Sequence, residues 1–159
     1  MFLTPWVSLL ARLGLAAVWL ASGAIKAADP LQAVVAVRAY QLLPESMVTP
    51  FANALPFVEI GLGLLLLCGV GVRPVAVVSL VVLVGFIAGV SSVWARGLSI
   101  DCGCFGGGGV GDVGPWDYAV EIVRDLGFMV LAGWLVYRPL SPVALGAGSR
   151  SPWPPARAR

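Results

Sequence analysis

Two cysteines separated by a single glycine are the residues of this chain best suited to chemistry. Cys102 and Cys104 lie within the stretch DCGCFG, residues 101–106. A bridge across one residue needs a sharp backbone turn, which Gly103 permits. Such a small ring is strained, and a strained disulfide is easily reduced and re-formed. The spacing therefore favours thiol–disulfide exchange.

Two other interpretations of the pair remain open. As a structural staple, a bridge across one residue closes almost no loop and adds little stability. As a metal site, two thiolates supply only half of a four-thiolate zinc or iron–sulfur centre, so no metal site is the favoured prediction. The third cysteine, Cys68, is predicted to lie far from the pair and to behave as a small buried hydrophobic residue.

The composition indicates that these cysteines belong to an integral membrane protein. The chain has 159 residues, of which 59% are hydrophobic and 11% charged, and its mean hydropathy is +0.94. A soluble domain carries about a quarter charged residues. Histidine is absent, which excludes imidazole ligands and a histidine general base. A net charge of +2 in so apolar a chain argues against a nucleic acid partner.

Four apolar segments are long enough to cross a bilayer, since a helical span needs about 20 residues. These spans are expected at residues 6–25, 51–70, 74–94 and 116–137, with Pro50 as the breaker before the second. The predicted fold class is therefore an all-α, integral membrane four-helix bundle.

Two further segments complete the predicted organisation. Residues 30–44 are too short to span and are expected to form a short interfacial helix between the first two spans. Residues 1–140 would then form a single transmembrane domain. Residues 141–159 are rich in proline, alanine and arginine, and are expected to be a disordered cytoplasmic tail.

The distribution of charge predicts the orientation in the membrane. Six arginines and no acidic residue fall at one end of the four spans: Arg12, Arg73, Arg138, Arg150, Arg157 and Arg159. By the positive-inside rule, both termini are then cytoplasmic. The cysteine loop is expected on the extracytoplasmic side of a bacterial cytoplasmic membrane, where disulfide exchange is chemically permitted.

Acidic residues inside the spans are the next candidates for chemistry. Glu59 lies in the middle of the second span, where an ionisable group is costly. It is interpreted either as a proton donor or acceptor near a bound cofactor, or as half of an internal ion pair with Arg124. On the fourth span, Asp117, Glu121 and Asp125 share one face at i, i+4 spacing. This face predicts a polar cavity beneath the cysteine loop.

Cations are available to answer these acids and to stabilise a thiolate, the reactive form of a thiol. Arg96 and Arg124 flank the cysteine loop, and Lys26 follows the first span. Asp101 stands directly before the cysteine pair and is included among the supporting residues.

Several motifs resemble the DoxX-like and MauE-like families of membrane proteins. In chain order they are Arg12, Ser22-Gly23-x-x-Lys26, Asp29-Pro30, Tyr40-x-Leu42-Leu43-Pro44, Pro56-x-x-Glu59, the CGCFG core and Arg124-Asp125. The CGCFG core with Arg124-Asp125 is similar to the MauE-type, redox-associated branch. The resemblance covers roughly residues 10 to 137.

The resemblance implies a four-helix membrane bundle, loosely similar to quinone-linked disulfide-forming proteins of the DsbB and vitamin K epoxide reductase type. MauE is associated with maturation of the disulfide-rich methylamine dehydrogenase, alongside a thioredoxin-like partner. Unlike DsbB-type enzymes, this sequence has one extracytoplasmic cysteine pair rather than two. Either a partner supplies the second pair, or the relay analogy fails.

Three hypotheses about function follow. The first is a membrane thiol–disulfide oxidoreductase: the cysteine pair exchanges electrons with a thioredoxin-like or disulfide-rich extracytoplasmic protein, and a membrane quinone is the expected cofactor. Glu59 or Asp125 would handle the accompanying proton. The second is a non-enzymatic membrane subunit that anchors a soluble oxidoreductase. The third is a membrane protein that handles a soft metal ion, captured by the cysteines. Membrane lipid is a partner under all three.

Overall fold

The computed structural model describes residues 4–103 and 107–150, and these are mostly helical. Two short antiparallel strands, β1 (Ile100–Asp101) and β2 (Gly109–Val110), precede the last helix. The expected helical architecture, with a short helix between the first two long ones, is confirmed. The five helices are α1 (Thr4–Ala28), α2 (Pro30–Ala39), α3 (Glu45–Cys68), α4 (Val72–Ala95) and α5 (Pro115–Tyr137).

Three helices of the described chain, α1, α3 and α4, are long and apolar enough to cross a membrane. α5 lies where the fourth span was predicted and has 23 residues. Its charges make it less apolar than the other three long helices, so the structure shows three membrane-capable helices where the sequence predicted four spans. The charges lie in the first half of α5 and are Asp117, Glu121, Arg124 and Asp125.

The start of α3 corrects one predicted boundary. Pro50 was expected to break the chain before the second span, but it lies inside α3, as does Pro56. A proline in the second turn removes a single backbone hydrogen bond, and membrane helices tolerate this loss. α2 is shorter than predicted. It begins after Asp29, whose side chain accepts a hydrogen bond from the Gln32 backbone N–H at 3.0 Å.

An exposed ion pair joins α2 to the start of α3. Arg38 Nε and Nη2 donate to Glu45 Oε1 at 2.9 and 2.5 Å. The hydrogen bond with Glu45 raises the pKa of Arg38 above its ordinary value. Both side chains face solvent, so the pair adds little stability.

The core is formed where α1 packs on α3 and α4 packs on α5. Trp19 is 1% exposed, and its Nε1 donates to Ser79 Oγ at 3.0 Å, which ties α1 to α4. α1 and α3 approach closely at two glycines. A Cβ on Gly23 would lie 2.9 Å from the Pro56 carbonyl oxygen, and one on Gly63 would lie 2.7 Å from Leu20 Cγ.

Residues 141–150, the first part of the tail expected to be disordered, pack against one end of the bundle. Leu145 N–H donates to the Cys68 carbonyl at 3.0 Å, and Gly146 N–H to the Gly69 carbonyl at 3.1 Å. Arg12 is buried beneath this segment and donates to the Val143 carbonyl. Residues 151–159 lie outside the described residues.

We predict that Gly23→Ala weakens the contact between α1 and α3. The added Cβ would meet backbone as well as the Ile60 side chain, and overpacking of this kind costs about 1–3 kcal/mol. Thermal unfolding in detergent should therefore show a lowered Tm. Gly14→Ala on the same helix is the control, because its Cβ would make an ordinary 3.8 Å contact with Leu131. Equal melting of the two variants would contradict this account of the interface.

Candidate functional site

The β1–β2 hairpin holds the first cysteine of the loop. Cys102 follows β1 directly and is partly exposed. Asp101 Oδ1 accepts from the Gly103 backbone N–H at 3.1 Å, and Gly103 has φ +68°, a conformation that glycine adopts without strain. Cys104, the second predicted reactive residue, lies outside the described residues. The structure therefore places one half of the cysteine pair.

Two tyrosines fix this hairpin to the bundle. The buried Tyr118 hydroxyl accepts from the Ile100 backbone N–H at 3.0 Å and donates to the Leu98 carbonyl at 2.7 Å. The hydroxyl of Tyr40, the residue that follows α2, donates to the Cys102 carbonyl at 3.2 Å. Neither tyrosine was predicted to belong to the site. The signal available for Tyr40 was its place in the motif Tyr40-x-Leu42-Leu43-Pro44.

A carboxyl group lies beside the Cys102 thiol. The side chains of Glu121 and Cys102 are hydrogen-bonded, and with Asp101 their potential ligand atoms lie within 4.8 Å of one another. Glu121 Oε2 is buried and has no hydrogen-bond partner among the described residues. Glu121 was predicted only as part of an acidic face. The structure places it beside the Cys102 thiol.

The acidic face of α5 divides into three environments. Asp117 is exposed and accepts from the Gly114 backbone N–H at 2.8 Å, capping the helix. Glu121 lies at the cysteine loop, one turn further along. Asp125 is buried and accepts from Arg124 Nη2 at 3.1 Å. The three carboxylates therefore have different local surroundings, and only Asp125 has a cation paired with it among the described contacts.

The predicted pairing of Glu59 with Arg124 is wrong. Glu59 is fully buried on α3 and pairs with Lys26 of α1, whose Nζ lies 3.0 and 3.1 Å from its two carboxylate oxygens. Lys26 Nζ also donates to Ser22 Oγ at 2.6 Å, one helical turn earlier. Arg124 was predicted as the partner because it and Glu59 lie at comparable depths in the bundle. In the structure, Lys26 lies on the face of α1 that packs on α3, so it pairs with Glu59 instead.

An apolar cavity of about 430 Å³ lies between α2, α3, α4 and the cysteine loop. Among the described residues that line it, Lys26 carries the only charge and Cys102 supplies a thiol group. Aromatic rings of Tyr40, Phe51 and Phe86 form part of its wall. A polar cavity beneath the cysteine loop was predicted. The cavity is in that place, but it is apolar, because the acidic face of α5 does not line it.

The remaining predicted residues lie apart from the thiol or serve other contacts. Arg96 is exposed at the end of α4 and donates to the backbone carbonyls of Ser92 and Tyr40. Arg96 is linked to the cysteine loop through Tyr40, whose hydroxyl contacts the Cys102 carbonyl. Cys68, predicted to be buried, is exposed at the C-terminus of α3. Its position on a different part of the helix bundle agrees with the predicted separation from Cys102.

Taken together, three apolar membrane-capable helices and a cysteine loop packed over an apolar cavity define a helical membrane protein. The family model described as methylamine utilisation protein MauE matches residues 4–138, so the chain belongs to this family. This match confirms the MauE-like resemblance inferred from the sequence motifs. No curated protein and no solved structure matches the chain.

We predict that Tyr118→Phe loosens the cysteine loop. Without the hydroxyl, the buried Ile100 N–H loses its partner, which costs about 1–3 kcal/mol. In reduced protein, Cys102 should then react faster with an alkylating reagent, as followed by mass spectrometry. Tyr137→Phe is the matched control, because that ring is 76% exposed. An unchanged alkylation rate in Tyr118→Phe would show that the hydroxyl does not hold the loop.

Proposed function

We propose that this protein is a membrane thiol–disulfide oxidoreductase that exchanges electrons between an extracytoplasmic protein and a membrane quinone. The observation that supports it best is that Cys102 borders an apolar cavity while its side chain contacts Glu121. Cys102 is partly exposed, and the same residue borders a space that an apolar ligand could occupy. The partner is a thioredoxin-like or disulfide-rich protein.

The proposed topology has four spans, with α5 as the fourth. Its deepest charges, Arg124 and Asp125, are paired with each other, which lowers the cost of placing them in a membrane. Its other two acids lie closer to its N-terminal end. With the arginine-rich end cytoplasmic, both termini are cytoplasmic and the cysteine loop lies outside the bacterial cytoplasmic membrane.

In the oxidising direction, Cys102 and Cys104 begin as a disulfide. A thiolate of the partner attacks one sulfur, the S–S bond breaks, and a mixed disulfide forms. The partner's second thiol then attacks the mixed disulfide and breaks it. The partner leaves with a new disulfide, oxidised by two electrons, and Cys102 and Cys104 are left as two thiols. A bound quinone would supply the oxidant that re-forms the disulfide, by taking two electrons and two protons from the two thiols. The same steps in reverse deliver electrons to the partner.

Glu121 is the proposed proton acceptor for Cys102. The thiolate rather than the thiol is the nucleophile, and without histidine the nearest base must be a carboxylate. Glu59 and Asp125, the two acids predicted for proton handling, are each engaged in an ion pair. Glu121 contacts the thiol and keeps one buried oxygen without a hydrogen-bond partner in the described chain.

We predict that Cys102→Ser and Cys104→Ser each abolish exchange with a dithiol partner. The test is reduction of a thioredoxin-like protein's disulfide, or oxidation of its dithiol, by purified protein in detergent. Cys68→Ser is the matched control and should keep full activity, because that thiol lies at the far end of α3. Exchange that survives the loss of both loop cysteines would show that they are not the redox pair. A wild-type protein that exchanges nothing but still binds its partner would favour the anchoring subunit.

We predict that Glu121→Gln slows exchange at neutral pH by about 100-fold, the lower end of what a positioned general base contributes. The defect should shrink as pH rises, because hydroxide then ionises the thiol without help. The measurement is the single-turnover rate at which the reduced protein reduces a partner's disulfide, followed against pH, with the exposed Asp112→Asn as control. If Glu121 merely repelled the thiolate, its removal would instead speed exchange at neutral pH.

A soft metal ion at the cysteine loop is the second candidate function. The observation in its favour is the proximity of Asp101, Cys102 and Glu121, whose potential ligand atoms lie within 4.8 Å of one another. One sulfur and two carboxylates suit a zinc-like ion. Elemental analysis of protein purified without chelator distinguishes the two: a stoichiometric metal that depends on Cys102 would favour this function over redox exchange.

A further inference from the structure

We propose that Lys26 binds the quinone, with one Nζ–H turned from the Glu59 carboxylate to a carbonyl oxygen of the ring, and that Glu59 and Ser22 position it. This inference rests on the proposed function and names the residue that would recognise the electron acceptor. It departs from the sequence-based expectation, in which Glu59 itself faced the cofactor. The geometry points to its cationic partner.

The ion pair is oriented with its positive member toward the cavity. Lys26 lines the cavity, and its side chain is 10% exposed. Glu59 stands behind it with no exposed surface and holds Nζ through both carboxylate oxygens. A pair of opposite charges is far less costly to bury than a single one. The arrangement therefore maintains a positive charge at the edge of an otherwise apolar cavity.

The rest of the cavity restricts what this charge can bind. Phe86 places its ring 5.9 Å from Lys26 Nζ, and Val58 and Val82 add aliphatic surface. A volume of about 430 Å³ lies in the range of small-molecule sites, about 300–1,000 Å³. A fully polar anion would lose its hydration against these walls, and a plain hydrocarbon would make no use of the ammonium group. An apolar ring with a carbonyl oxygen satisfies both.

The same cavity brings the binding residue and the redox residue to one ligand. Cys102 and Lys26 both line it, so a ring held by Lys26 occupies the space that the thiol borders. Reduction increases the negative charge on the ring oxygens. A fixed cation beside such an oxygen stabilises the charge as it develops, without the reorganisation that water would need.

The experiment measures binding of decylubiquinone to the detergent-purified full chain by quenching of tryptophan fluorescence. The test variant is the double substitution Lys26→Gln with Glu59→Gln, which removes both charges and leaves no unpaired charge buried. The expected result is a Kd raised about 10-fold or more, since a hydrogen bond from a charged group is lost. The matched control, Arg38→Gln with Glu45→Gln, removes an exposed pair that lies outside the cavity lining and should bind as the wild type does.

A second measurement needs no variant. Lys26 is the only lysine of the chain, so reductive methylation of its amine can be followed on a single peptide by mass spectrometry. Decylubiquinone should slow methylation of Lys26 in the wild-type protein. Unchanged methylation, or equal Kd values for the two double variants, would overturn the assignment of Lys26.

Thiol exchange, measured without quinone, separates this inference from the proposed function. Exchange with a small dithiol should be lost in Cys102→Ser and should keep the wild-type rate in Arg38→Gln with Glu45→Gln, whose exposed pair lies outside the cavity lining. If quinone binding ignores Lys26 while exchange still requires Cys102, the inference falls and the oxidoreductase stands. If the wild type neither binds quinone nor exchanges disulfides, both fall.

Discussion

The buried ion pair between Lys26 and Glu59 is the interaction on which the arrangement of the site depends. A single charge in the middle of a membrane helix costs about 2.5–3.5 kcal/mol on insertion scales, so Glu59, in the middle of α3, needs a partner of opposite charge. Their pairing requires α1 and α3 to approach closely, which the missing side chain of Gly23 allows. The contact between these helices then places Lys26, which carries the only charge among the described lining residues, at the edge of the apolar cavity.

The cysteine loop is connected to the bundle by a different kind of contact. Tyr118 from α5 and Tyr40, which follows α2, hold its backbone through hydrogen bonds. The Cys102 side chain contacts Glu121 and borders the cavity. A strained or exchanging cysteine pair needs such a frame, because the sulfur must change partners while the surrounding chain stays in place. The hydrogen bonds that hold the loop backbone are therefore separate from the thiol group that is proposed to react.

Sequence reasoning predicted the helices well and the contacts between them less well. Apolar length locates α1, α3 and α4, but Pro50 did not end a helix, because one lost hydrogen bond is tolerated. The depth of a residue along a span also does not specify which neighbouring helix its side chain faces. For this reason Glu59 was assigned to Arg124 instead of Lys26. Glu121 lay in a recognised acidic face, yet its contact with Cys102 depends on how the hairpin folds back over α5.

The central claim is that Cys102 and Cys104 form a redox couple linked to a membrane quinone. Its most direct test is a redox titration of the purified protein in detergent, with and without decylubiquinone, in which alkylated thiols are counted by mass spectrometry. The account predicts a reversible two-electron transition of this pair that shifts toward the disulfide when the quinone is present. Cysteines that stay in one state across physiological potentials, with or without quinone, would contradict it.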